Sequence, residues 1–206
     1  MASPIAQFKH LYFSDLIFQR PLFYNNPFGI RFNLTGIFPA TDEAYFKEML
    51  QRATALFQAV FELTDDVLII YRVYSHGRKR IRASHYLLRQ LAVKKSDVTF
   101  HNSVISQPSS STRGKWRRMS FSTKASRIPH QTILAAIGNQ DFPAKKPVIQ
   151  GEVYFLNKTK GIVFHMYDDR GLDIIGSSKA SLECIYETYK GWILEYDRSK
   201  TNAVFA

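Results

Sequence analysis

The chain has 206 residues, 45% hydrophobic and 14% aromatic, which is ample material for a core and outside the composition of a disordered segment. Its formal net charge of +11 predicts a polyanionic or acidic partner, and its single cysteine, Cys184, excludes an internal disulfide. No stretch approaches the roughly eighteen apolar residues of a membrane span, and the start, Met1 to Gln7, lacks a basic region followed by an apolar run, so the expected location is the cytoplasm.

The first segment, Phe8 to Phe23, carries Phe8, Tyr12, Phe13, Phe18 and Phe23 and is too aromatic for a tail; it predicts an amphipathic piece packed on the body. Phe28, Ile30, Phe32 and Leu34 alternate with Gly29, Arg31 and Asn33, the period of a half-buried strand. Thr41 can cap a helix whose first turn holds Asp42 and Glu43 and whose apolar positions are Phe46, Met49, Leu50, Ala53, Leu56, Phe57, Val60 and Phe61. Thr64-Asp65-Asp66 then turns the chain into Val67–Tyr74, whose unbroken apolar start predicts a strand inside a sheet.

A basic loop, His76 to Arg82, precedes a predicted helix from Ala83 to Val93. Gln107 to Gly114 has linker composition. Trp116 to Thr123 alternates without a wholly apolar face, which predicts an edge strand, and Pro129 opens a short helix ending at Gly138. Gly151–Asn157 and Ile162–Tyr167 flank a four-residue loop with glycine and read as a hairpin; Leu172–Ile175 adds a third strand. A closing helix presents Leu182, Ile185, Tyr186 and Tyr189 inward, with Cys184 read as a small core residue. The fold class that follows is α+β, an antiparallel sheet with helices packed on one side, in one domain or two closely packed subdomains. The division would run 1–107, with a basic segment 72–106, then a linker 108–114 and a second part 115–206.

Within these elements Asn139-Gln-Asp-Phe142, Val153–Asn157, Phe164-His-Met-Tyr-Asp-Asp-Arg-Gly171 and Trp192–Arg198 resemble a bacterial family, the domain of unknown function DUF3885. The resemblance reaches back to Pro21–Tyr24 and Phe28–Phe32. It implies a cytoplasmic bacterial protein with no established catalytic residue and, on fold grounds, a relationship to PUA-like RNA-binding domains.

The charge is localised. Between Arg72 and Arg127 fourteen Lys and Arg face one acid, Asp97, and the rest of the chain is close to neutral. As a nucleic-acid site, Arg78, Lys79, Arg80 and Arg82 would contact phosphates, helped by Lys94, Lys95, Lys115, Arg117 and Arg118, while Tyr86, Phe100, His101 and Trp116 could stack on unpaired bases. A solvated loop that keeps the protein soluble is the alternative reading.

Asp168-Asp169-Arg170-Gly171, with His165 nearby, is the most site-like constellation. Two strand-end acids could hold Mg²⁺ in a nuclease with His165 as general base, but alternation points neighbouring carboxylates apart. The simpler reading is a hairpin turn in which an Asp accepts backbone N–H bonds, Arg170 pairs with an acid and Gly171 supplies a positive φ. A binding role for an exposed turn of His165, Asp168, Asp169 and Arg170 is the other. No GxxxxGK[ST], GxGxxG or GxSxG string occurs and the histidines show no metal-ligand spacing, so no cofactor, metal or catalytic residue is expected. Two function classes follow. One is a non-enzymatic protein binding nucleic acid, RNA more than DNA, through residues 72–127; the other is a protein-interaction module of the immunity or antitoxin kind with an acidic partner.

Overall fold

The computed structural model describes residues 2–36, 39–40, 42–75, 85–102 and 115–206. In chain order its elements are α1 Pro4–Tyr12, β1 Gly29–Asn33, α2 Glu43–Val60, β2 Asp66–Ser75, α3 His85–Gln90, β3 Thr99–Asn102, β4 Lys115–Lys124, α4 His130–Gly138, β5 Glu152–Asn157, β6 Ile162–Met166, β7 Gly171–Gly176, α5 Glu183–Tyr189 and α6 Arg198–Phe205. The seven strands form one antiparallel sheet in the order β1-β7-β6-β5-β2-β4-β3. Among the described residues no helix is long and apolar enough to cross a membrane.

β2 sits between β5 and β4, and both of its faces are covered, which is why Val67, Leu68, Ile69, Ile70 and Tyr71 form an unbroken apolar run. Val67, Ile69 and Tyr71 belong to the larger core, together with Met49, Ala53, Leu56, Phe57 and Val60 of α2 and with residues of α4, α5 and α6. Phe57 is the hub of that core, with ring centroids 4.5 Å from Phe61, 4.7 Å from His130 and 5.3 Å from Phe164. Leu68 and Ile70 point the other way and pack under Ile5, Phe8, Leu16, Phe18 and Leu22. The sheet therefore carries helices on one face and, on the other, α1 followed by a strap of residues 13–25. The expected one-sided cover understates this, because the aromatic N-terminal segment supplies a second lid.

The β5-β6-β7 meander follows its alternation, with Phe155 opposite Phe164 and Phe164 opposite Ile174. Asn157 closes the first loop by accepting hydrogen bonds from the Thr159 and Lys160 amides at 2.9 Å each, and Gly161 takes φ +65°, where a side chain would be strained.

Several expectations change. Trp116–Thr123 lies in β4, which is not the edge: the four-residue β3 pairs outside its middle, at Arg117, Arg118, Met119 and Ser120. β2, from the first half of the sequence, is hydrogen-bonded on both sides by strands of the second, so a division at 108–114 cuts through one sheet. The linker 107–114, the loop 76–82 and the cap Thr41 lie outside the described residues, and Asp42 precedes α2. A further helix, α6, follows α5 and packs Phe205 on Tyr186 at 5.3 Å. Cys184 is exposed, because Ile185 and Tyr186 occupy the inward side of α5.

Candidate functional site

The C-terminal ends of β2 and β3 and the N-terminal end of β4 meet at one end of the sheet. Their register sets Tyr74 opposite Trp116, Arg72 opposite Arg118, and His101 opposite Arg118. Alternation then puts Tyr74, Trp116, Arg118, Ser120 and His101 on one face, with Arg117 on the other. Trp116 and Tyr74 meet edge to face at 5.7 Å, the Arg72 guanidinium lies 4.8 Å from the Trp116 ring centre, and His101 Nε2 is 2.9 Å from Ser120 Oγ. Burial and the Arg118 charge lower the pKa of His101, which keeps it neutral at physiological pH. Burial, with Arg72 nearby, also lowers that of Arg118, whose Nε has no partner among the described residues.

The sequence-derived cations divide. Arg78, Lys79, Arg80 and Arg82 lie outside the described residues, between the end of β2 and the start of α3. Lys94 is exposed just before the single turn Lys95–Asp97 that leads into β3, and Lys115 opens β4. Trp116, Arg117 and Arg118 follow Lys115 at this end, whereas Lys94 precedes the opposite end of β3, which pairs at Ser120. Arg72 does not join as a free charge: its buried guanidinium donates to the Phe18 carbonyl and pairs with Glu152 at 2.7 Å. Lys124 lies about 30 Å from Lys115, at the far end of the ten-residue β4, where it pairs with Asp66 at 2.9 Å.

From Arg72 a row of polar groups runs across the strap-covered face, one or two from each strand. Tyr154 donates to Glu152 at 2.8 Å, His165 stacks on Tyr154 at 4.0 Å, and His165 stands opposite Asp173. Asp173 pairs with Arg31 at 2.9 Å and accepts from the Phe23 amide at 3.2 Å; Arg31 reaches Asp197 at 3.4 Å, and Tyr24 donates to Asp197 at 2.5 Å. Each charge in the row has an opposite partner, as its burial demands. His165 is fully buried, and burial pushes its pKa down to about 3, so the ring is neutral. Its Nδ1 donates to the Val153 carbonyl at 2.9 Å, which leaves Nε2 an acceptor with no partner among the described residues. The strap's Arg20, 3.4 Å from Glu152 and half-exposed, is a cation at this face outside the basic segment, and nothing in its local sequence marks it.

At the β6–β7 turn the acids are buried rather than exposed, and Arg170 alone is open to solvent. Asp168 Oδ1 accepts from the Arg170 and Gly171 amides at 2.9 and 3.1 Å, and Oδ2 pairs with the Arg170 side chain at 2.8 Å. Asp169 instead accepts from the Tyr45 hydroxyl. The two carboxylates thus point to different partners, and His165 faces neither. The turn matches the hairpin reading except at Gly171, whose φ is not positive; a Cβ there would overlap the Tyr167 hydroxyl. Among the described residues no group of three or more His, Cys, Asp or Glu is placed to hold a metal ion.

The family model of a domain of unknown function, DUF3885, matches residues 5–197, a span that takes in the strap and every strand. The chain belongs to this family. It is 26% identical over 169 residues to a relative named "Uncharacterized protein YnaE" of Bacillus subtilis (strain 168), an overlap of 73% of this chain and 76% of the relative. No solved structure matches.

Proposed function

We propose that the protein is a non-enzymatic nucleic-acid-binding protein, selective for RNA over DNA, and that it binds at the sheet end formed by β2, β3 and β4. One observation carries this reading. The register of β4 against β2 and β3 sets Trp116 and Tyr74 beside Arg118, at the end where β2 stops at Ser75, the residue before the cation-rich sequence 76–84. Among the described residues, the ion pairs of the 72–127 segment are Arg72–Glu152 and Lys124–Asp66, which leaves Arg117 and Arg118 uncompensated by carboxylate. Guanidinium groups on phosphates release counterions, and aromatic faces accept unpaired bases whatever their sequence.

A mobility-shift assay with a mixed single-stranded RNA pool tests the reading. The full chain should shift the pool at low salt, lose it as salt rises, and bind RNA better than DNA of the same sequence. Replacing Arg78, Lys79, Arg80 and Arg82 by Ala should abolish the shift. A second reading, a protein-interaction module, is favoured by the exposed Leu63, Phe100 and Tyr196, the last 84% accessible. Absence of any shift, with a stoichiometric acidic protein recovered instead, would replace the first reading by the second.

A further inference from the structure

We infer a second, independent site at the opposite edge of the sheet: a pocket for a small organic anion between the end of β1 and the β6–β7 turn. The cavity there measures about 350 Å³, within the range of small-ligand sites. Phe32 and Leu194 supply its apolar wall, and Asn33, Thr35, Tyr167, Asp168 and Arg170 its polar one.

The hydrogen-bonding accounts of that polar wall decide the class of ligand. Asp168 has both oxygens engaged, by two backbone amides and the Arg170 guanidinium. The Asn33 side-chain carbonyl accepts from the Thr35 amide at 3.3 Å and its hydroxyl at 3.4 Å. These bonds leave three donors, the Asn33 amide nitrogen, the Tyr167 hydroxyl and the remaining N–H groups of Arg170, which is 69% exposed in its side chain, against the Thr35 hydroxyl oxygen, whose donor is spent on Asn33 and which can only accept. Tyr167 keeps its proton, since burial and the nearby carboxylates raise its pKa. A wall whose carboxylate is engaged and whose donors, one guanidinium among them, outnumber its open acceptors complements a carboxylate or phosphate group, and the apolar wall takes the body that carries it.

The walls are also held more firmly than a hairpin turn needs. The Leu34 amide donates to the Arg170 carbonyl at 2.9 Å, Asp169 is tied to Tyr45 of α2, and Gln140 donates to the Tyr167 carbonyl. Arg52 of α2 donates to the Asn33 carbonyl at 3.1 Å. Such outer contacts fix donors before a ligand arrives, which lowers the ordering cost of binding.

The test is an amide NMR titration of the full chain with benzoate and with phenyl phosphate, which share one apolar body and differ in the anion, and with benzyl alcohol as the neutral control. At least one anion should shift the amides of Asn33, Thr35, Arg170 and Gly171, and benzyl alcohol should not. Arg170→Ala should weaken that anion about tenfold or more, as loss of a charge-assisted hydrogen bond does. Asn33→Asp, which keeps the acceptor and sets a negative charge against the anion, should weaken it comparably. Arg118→Ala, on β4 and four strands or more from β7 and β1 of the pocket, should leave it unchanged whether or not the chain binds RNA. Shifts absent with both anions, centred on Tyr74 and Trp116, or undiminished in Arg170→Ala and Asn33→Asp would overturn the assignment.

Discussion

Replacing His165 by glutamine should strip about 2 kcal/mol of pH dependence from the stability of the fold. The imidazole is fully buried between Tyr154 and the strap, and burial holds its pKa near 3, against about 6.5 for the same group in the unfolded chain. Between those two values the unfolded state binds a proton that the folded state refuses, so stability rises with pH through this window. It is unaffected by this group above the unfolded pKa and falls as pH drops below it. At pH 5.0 the chain is about 1.5 units below the unfolded pKa, which at about 1.36 kcal/mol per unit gives about 2 kcal/mol relative to pH 7.5. This figure does not depend on the exact folded value as long as that lies well below 5.

Urea unfolding of wild type and His165→Gln at pH 7.5 and 5.0 measures it. The variant should be the less stable at pH 7.5, having lost the stack on Tyr154, and the gap should narrow by about 2 kcal/mol at pH 5.0. Contributions common to both proteins cancel in the difference. An equal gap at the two pH values would mean that the folded imidazole accepts a proton, and the closed polar row described here would be wrong.

Arg72→Ala should destabilise by about 3 kcal/mol in urea unfolding, since it removes the buried cation of Glu152 and leaves only the half-exposed Arg20 at 3.4 Å. Gly171→Ala should cost about 1–3 kcal/mol by overpacking against Tyr167, and the cost should shrink in a Tyr167→Ala background, which removes the overlapping ring and hydroxyl. Lys124→Ala should leave RNA affinity within about twofold of wild type, because its exposed pair with Asp66 lies at the wrong end of β4.

The parts of the fold legible in the sequence are those with a local cause. The apolar run of β2, the hairpin loop of β5 and β6, and the one-sided spacing of α2 each follow from periodicity within a few residues. β3 was not legible: Thr99–Asn102 has neither length nor pattern and is held as a strand by pairing with β4. The short, polar α6 is held by docking Phe205 rather than by any signal of its own. Arg72 is the instructive case in the candidate site. It lies in the basic segment and reads as part of a surface patch, yet Glu152, eighty residues on, and the carbonyl of Phe18 bury and neutralise it. The polar row is invisible for the same reason. Each strand contributes a residue or two: register sets Arg31 opposite Asp173 and Asp173 opposite His165, the stack of His165 on Tyr154 carries the row to β5, and Glu152, opposite Arg72, carries it to β2. What sequence could show was the existence of excess charge; the sheet decides which of those charges share an end.

The most direct test of the nucleic-acid reading is the salt dependence of RNA binding, followed by fluorescence anisotropy with a labelled single-stranded oligonucleotide. Plotted as log affinity against log salt, Arg118→Ala should flatten the wild-type slope by about 0.7, the contribution of one phosphate contact on a single strand. Trp116→Ala should weaken binding by about 1–3 kcal/mol through lost stacking and leave the slope unchanged. No measurable affinity at low salt, or a slope that Arg118→Ala does not alter, would contradict the account.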